Sequence, residues 1–141
     1  MPNAIVHFEI PVDDVERAQQ FYTKAFGWKI HDPFKMDYFF VETRKEGEAG
    51  INGGLMKRKM PGQPFMNYIM VKSIEASLAK VVQAGGSICL PKTEIAAGMG
   101  WIACFQDTEN NMMGFHQPGP AAKPAPKKPA KKSAKKKAKK K

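Results

Sequence analysis

Apolar and polar residues along the first half of the chain change period at identifiable points. Ile5 to Val12 (IVHFEIPV) is rich in β-formers and predicts a strand. Asp13 then sits where a helix N-cap belongs, and Glu16 three residues later completes a capping box. Val15, Ala18, Tyr22, Ala25 and Phe26 recur at helical spacing, which gives that helix one apolar face, and Gly27 supplies its stop. Trp28 to Ile30, Tyr38 to Glu42 and Ile51 to Met56 predict three further strands, separated by polar and glycine-containing turns.

The second half repeats this pattern. A shift of 59 residues lays Val12 on Val71, Val15 on Ile74, Tyr22 on Val81 and Gly27 on Gly86 without a gap. By the end the shift is 60, where Gly54 and Leu55 meet Gly114 and Phe115, a one-residue loop difference. Asn67 to Val71, Ile74 to Ala84, Ser87 to Leu90, Trp101 to Gln106 and Asn111 to His116 then fill the same order of strand, helix and three strands. The fold class expected is α+β, built from two tandem βαβββ modules at residues 1–60 and 64–117. A single module leaves one sheet face without cover, and pairing two copies buries it.

Charge separates the chain into two parts. The formal net charge is +10, but eleven of the 23 Lys and Arg residues lie between Lys123 and Lys141. The remainder carries twelve basic against thirteen acidic residues, so the expected folded part, 1–117, is close to neutral. Cys89 and Cys104 both fall in apolar, strand-like segments and are expected to be buried, reduced thiols. With no charged and apolar leader at its start, the chain reads as cytoplasmic. No apolar run approaches the ~18 residues of a membrane span, which excludes an integral helical membrane protein.

The string HFEIPVDDVERAQQFYTKAFGWKI from His7 to Ile30, the glycine pair of INGGLM, AGGSI at Ala84 to Ile88 and DTENNMMGF near the end resemble the vicinal oxygen chelate superfamily. They are closest to its small, glyoxalase-related bacterial branch. The superfamily holds glyoxalases (lactoylglutathione lyases), extradiol dioxygenases, epimerases and bleomycin-resistance proteins, so the resemblance is specific for a glyoxalase-like fold and not for a reaction. It implies a cup formed by curved sheets. In metal-dependent members, four ligands enter that cup from the first and last strands of each module. Carried onto this chain, those positions are His7, Gly54, Met66 and Gly114. One imidazole is too few for a divalent ion, which needs three or four nitrogen or oxygen donors. No metal or other cofactor is therefore expected, nor metal-dependent glyoxalase I chemistry. Any enzymatic activity would be lyase- or dioxygenase-related. The resemblance is also compatible with a homodimer.

Alternation places His7 and Glu9 on one face of the first strand, which the resemblance makes the interior of the cup. They are the candidate catalytic pair, with Glu9 orienting the His7 tautomer, or else a hydrogen-bonded structural pair. Tyr38, Tyr68, Trp101 and Phe115, with Met56 and Met66, are candidate lining for a flat or apolar ligand, or core residues. His31 reads as a loop residue and His116 as the end of the last strand. A site built from His7, Glu9 and His116 would require a displacement of about 7 Å along the strand. Asp107, Asn110 and Asn111 read as a turn with a left-handed residue.

From Pro118 the chain contains only Lys, Ala, Pro, Gly and one Ser, so nothing in it can build a core and it is expected to be disordered. Lys127, Lys128, Lys131, Lys132, Lys135, Lys136, Lys137, Lys139, Lys140 and Lys141 make a polyanion-binding run similar to linker-histone tails. Such a run attaches to DNA, RNA or polyphosphate by counterion release, and a nucleoid location follows from it. Without arginine or aromatic residues it has no means of reading sequence. Three functions remain open at this point: a metal-independent small-molecule domain, a polyanion-associated protein in which the tail carries the function, and a drug-sequestering protein supported only by Glu9 and Glu42 as acidic cup residues.

Overall fold

The first strand, β1 (Ile5–Val12), alternates as its sequence predicts, sinking Phe8 and Ile10 to one side and presenting His7 and Glu9 on the other. The structure, a computed structural model, describes residues 3–96 and 98–120; the whole lysine-rich run from Lys123 to Lys141 lies outside them. The described chain continues as α1 (Val15–Phe26), β2 (Lys29–His31), β3 (Tyr38–Glu42), β4 (Gly53–Lys57) and β5 (Met66–Met70). It ends with α2 (Ile74–Gln83), β6 (Ser87–Ala96), β7 (Gly100–Gln106) and β8 (Met112–Gln117). Both helices and all eight strands appear in the predicted order, giving the α+β class. Among the described residues no helix is long and apolar enough to cross a membrane.

Two compact units emerge. One covers Ala4–Ile69; the other begins at Met70 and takes in Asn3. The boundary falls inside β5, because the strand that opens the second repeat hydrogen-bonds to β1 of the first, pairing His7 with Tyr68 and Glu9 with Met66.

In the N-terminal unit the strands lie in the order β2-β3-β4-β1-β5, with β1 and β4 parallel and the remaining neighbours antiparallel. One face of this sheet forms the core with α1. Phe8, Ile10, Ile30, Val41 and Leu55 are buried there, and Val15, Ala18 and Tyr22 of the helix pack on them. Val41 and Leu55 are wholly inaccessible, so the centre of the core sits under β3 and β4.

The helix boundary differs from expectation by one residue. Asp14, in extended conformation, is the N-cap and accepts from the Arg17 amide at 3.0 Å. Asp13 instead accepts from Arg58 Nε at 3.0 Å, which ties the start of α1 to the residue following β4. Two adjacent aspartates offered the same cap, and tertiary pairing of the first left the second to take it. At the other end Gly27 adopts φ +73° and donates to the Thr23 carbonyl, the left-handed stop that its position predicts.

In the C-terminal unit β6, β7 and β8 form an antiparallel sheet against which α2 packs. Ser73 caps α2 by accepting from the Ala76 amide. Ile74 and Leu78 of the helix and Ala103, Phe105 and Phe115 of the strands are buried, with the two phenylalanine rings 4.8 Å apart. Strand β6 runs six residues past its predicted end at Leu90, and its register against β7 slips between Ile88 and Leu90. Cys89 lies in that irregularity and is exposed, contrary to the expected burial; Cys104 is buried as expected. The extra residue of a bulge has no opposite partner, so apolar context alone does not bury it. Asn110 takes φ +68° in the turn before β8, where Asp107 accepts from the Glu109 and Asn111 amides.

The glycine pair of β4 is fixed by close approach. A Cβ at Gly53 would overlap the Phe8 carbonyl oxygen and lie 2.5–2.6 Å from two atoms of its ring. Gly53→Ala should therefore force β1 and β4 apart and destabilise the fold by about 3 kcal/mol, the upper range for an overpacked core. Chemical denaturation of wild type and variant checks this; a change under ~0.5 kcal/mol would contradict it.

Candidate functional site

The face of the N-terminal sheet opposite α1 carries an unusual density of polar and aromatic side chains. The register sets them in rows: Glu9 pairs with Gly54 and Met66, His7 with Tyr68, Tyr38 with Met56, and Phe40 with Gly54. Residues in register share a face, so these side chains project to one side of four strands, β3, β4, β1 and β5.

Four of them form a continuous hydrogen-bonded chain. Tyr38 donates its hydroxyl proton to Glu9 Oε2 at 2.9 Å, and His7 Nε2 lies 2.6 Å from the same hydroxyl oxygen. Tyr68 donates to the other carboxylate oxygen, Glu9 Oε1, at 2.9 Å. A phenol has one proton to give, and here it goes to Glu9; His7 must then be the donor on its side, which assigns its proton to Nε2. The expected orientation of His7 by Glu9 is thus carried through the Tyr38 hydroxyl. The imidazole is also stacked on the Tyr38 ring at 6.3 Å and meets the edge of Tyr68 at 5.7 Å.

Burial, followed by the adjacent Glu9 charge, pushes the Tyr38 phenol far above its ordinary ionisation range. It remains a neutral donor throughout the physiological range. The arrangement suits acid–base or hydrogen-bonding chemistry: a carboxylate, a phenol and an imidazole are linked so that a change in protonation at one end is felt at the other.

Tyr38 reaches Glu9 because residue 54 has no side chain. A Cβ at Gly54 would overlap Tyr38 Oη and Cζ and lie 2.7 Å from Cε2. The backbone at Gly54 does not take a left-handed φ, so the glycine is required by space alone.

Other predicted residues lie elsewhere or serve differently. Met56 and Met66 are buried in the same rows. Trp101 belongs to the C-terminal unit, where Lys92 Nζ sits 4.7 Å over its ring while bonding Glu75. Phe115 is core in that unit, and Gly114 pairs with Cys104. His116 also belongs there; burial lowers its imidazole pKa, and its carbonyl accepts from the Val71 amide. His31, expected in a loop, is the last residue of β2 and lies 3.5 Å from Glu42. Phe40 was missed, although it stands two residues beyond Tyr38 on the same strand and so shares its face.

Residues 4–43 match the family described as bleomycin resistance protein-like N-terminal. A glyoxylase-like domain-containing protein of Didymella fabae is 30% identical over 110 residues, which is 73% of this chain and 84% of that protein. The chain belongs to the vicinal oxygen chelate superfamily. Solved structures agree in fold. A glyoxalase/bleomycin resistance protein/dioxygenase superfamily member from Vibrio splendidus 12B01 has a TM-score of 0.59 at 17% identity, over 82% of this chain and 98% of that one. Methylmalonyl-CoA epimerase from Mycobacterium tuberculosis has a TM-score of 0.58 at 14% identity, over 82% and 88%.

The superfamily's metal does not fit the residues present. Of its four ligand positions, the N-terminal unit holds His7, Gly54 and Met66, which together offer a single good donor. The space before position 54, where a ligating side chain would project, is filled by the Tyr38 hydroxyl. Among the described residues no three His, Cys, Asp or Glu side chains are grouped as a metal site.

Tyr38 offers a direct spectroscopic test. Of three tyrosines in this superfamily member, a folded-state titration read at the phenolate absorption band should leave Tyr38 un-ionised well above pH 10, and denaturation should release it. Since the folded pKa is raised, the associated stability is held below the unfolded phenol's value of 10.0 and falls as pH rises beyond it. Ionisation of all three at the ordinary value would contradict the assignment.

Proposed function

We propose that this superfamily member binds or transforms a small, largely apolar molecule on the face of the N-terminal sheet opposite α1, without the superfamily's metal ion. His7 and Glu9 are the polar centre, joined by the Tyr38 hydroxyl; Tyr68, Met56 and Met66 supply the surrounding surface. The observation that carries this reading is the overlap between Tyr38 and any side chain at position 54. A ligand position occupied by a tyrosine that bonds both remaining polar residues is organised for hydrogen-bonding or proton chemistry. The bleomycin-resistance-like match over residues 4–43 and the glyoxylase-like relative support the superfamily setting.

The test is elemental analysis with calorimetric titration of zinc and nickel into tag-free protein. Less than about one-tenth of an ion per chain and no saturable binding are expected, since one imidazole does not hold a divalent ion against exchange. One ion per chain that is lost in His7→Ala would overturn the metal-free reading.

The lysine-rich run supports a second element of the proposal, attachment to polyanions, because eleven lysines lie in the last nineteen residues. Ending the chain after Gln117 should abolish its retention on DNA at low salt and leave small-molecule binding intact. Full-length protein should lose DNA affinity steeply with salt, with a log–log slope of about −0.9 per phosphate neutralised. Unchanged retention after truncation would remove the tail from the proposal.

A further inference from the structure

Six aromatic rings run in contact across the side of the N-terminal unit that α1 covers, away from His7 and Glu9. Phe65 lies over Phe8 with ring centroids 6.3 Å apart, Phe8 meets Trp28 at 6.3 Å, and Trp28 stacks on Tyr22 at 5.0 Å with the planes 9° apart. Phe21 and Phe26 close the row, Phe21 edge-on to Tyr22 at 5.1 Å and Phe26 5.6 Å from Trp28. Phe8 is buried, yet Phe21, Phe26 and Phe65 are 57%, 63% and 56% exposed.

The module does not need these rings in order to fold. The shift of 59 residues that aligns the two helices puts Lys80 at the place of Phe21, Gly85 at that of Phe26 and Ser87 at that of Trp28. With those residues α2 still buries Ile74 and Leu78, whereas α1 buries none of its twelve residues. Aromatic side chains stand in water at positions that the second module fills with lysine, glycine and serine, and a contiguous apolar patch of that kind marks a surface that another molecule covers.

Area and charge identify the cover. The three exposed phenylalanines present on the order of 350 Å² of apolar surface, at about 150–250 Å² per aromatic side chain. That is close to half of the about 800 Å² per partner that a stable protein interface buries. The rings already hold one another, so covering them costs little side-chain freedom. Around them, Asp13 is bonded to Arg58 and Asp14 lies 4.0 Å from Arg17, so those four charges are answered within the chain. Glu16 and Lys24 enter no ion pair among the described residues. They occupy the two ends of one i, i+4 ridge beside Phe21, about 12 Å apart along the helix. A two-fold axis at Gln20, midway between them, brings each Glu16 to the Lys24 of another copy. An anionic lipid surface would instead meet Asp14 and Glu16 within two turns of Phe21.

We infer that the aromatic flank of α1 is an isologous interface, docking antiparallel on the same flank of a second copy of this chain, with Phe21 near its centre and Glu16 facing Lys24 at either end. The flank lies on the opposite sheet face from His7, Glu9 and Tyr38, so docking leaves the polar centre open. The inference stands independently of the small-molecule function proposed above.

Sedimentation velocity on the full chain tests it, from about 1 to about 200 µM protein in about 0.15 M salt, which screens the lysine run. Wild type should reach the mass of two chains. Phe21 is exposed, so Phe21→Ser should keep the fold, which circular dichroism checks, and weaken the dimer about a hundredfold, about tenfold from each ring. Glu16→Lys should weaken it about tenfold, because like charges then meet twice across the axis. Combining Glu16→Lys with Lys24→Glu should recover the wild-type association, although both changes oppose the helix dipole. A dimer indifferent to Phe21→Ser, or a charge reversal that the double variant does not recover, overturns the interface. A chain that stays single at the highest concentration overturns it as well; uncharged phosphatidylcholine vesicles added to that sample then show whether Phe21 docks on lipid instead.

Discussion

Strand β4 is approached on both sides at less than the distance any side chain would allow, and the N-terminal unit is arranged around that fact. On the helix side the Phe8 ring and its carbonyl press on Gly53; on the other the end of Tyr38 covers Gly54. The first contact brings β1 and β4 close enough for Leu55 and Val41 to be fully buried between sheet and helix. The second lets a phenol lie nearly flat on the sheet and reach the Glu9 carboxylate on the far side of β4. Two consecutive glycines therefore serve opposite faces of one strand, and period-2 alternation is what separates their tasks.

From this follows the character of the polar centre. Glu9 accepts from two phenols, one contributed by β3 and one by β5, so a single carboxylate on β1 ties together strands on both of its flanks. Withdrawing such a group partly from water costs least when its acceptors are satisfied, and both oxygens are. The same bonds hold His7 in one tautomer between two rings. Structural and chemical readings of His7 and Glu9 thus describe one arrangement, since the bonds that satisfy a half-buried carboxylate also preorganise the imidazole.

Much of the fold was legible because periodicity and caps are local. Strand alternation in IVHFEIPV, helical spacing from Val15 to Phe26 and the left-handed stop at Gly27 depend on near neighbours alone, and all appear. Departures arise where a distant partner intervenes. Arg58 takes Asp13 and moves the helix cap to Asp14, and register slips against β7 lengthen β6 and expose Cys89. The site followed the same division. Alternation put His7 and Glu9 on one face, but the bridging hydroxyl of Tyr38 depends on pairing between β3 and β4 and on the length of a tyrosine ring. Gly54 was legible as a missing ligand and silent as a vacated space, because sequence records what a residue lacks and not what fills its place.

That exchange of glycine for room constrains how such a site can change over generations. A carboxylate introduced at position 54 collides with Tyr38 unless the tyrosine has already gone, and loss of the tyrosine leaves Glu9 and His7 short of a shared partner. Either single step passes through a worse protein, so the two positions are expected to be exchanged together or not at all. Once the ring has settled over the glycine, a side chain at position 54 and a tyrosine at position 38 exclude one another, and the path between the two arrangements runs uphill from either side.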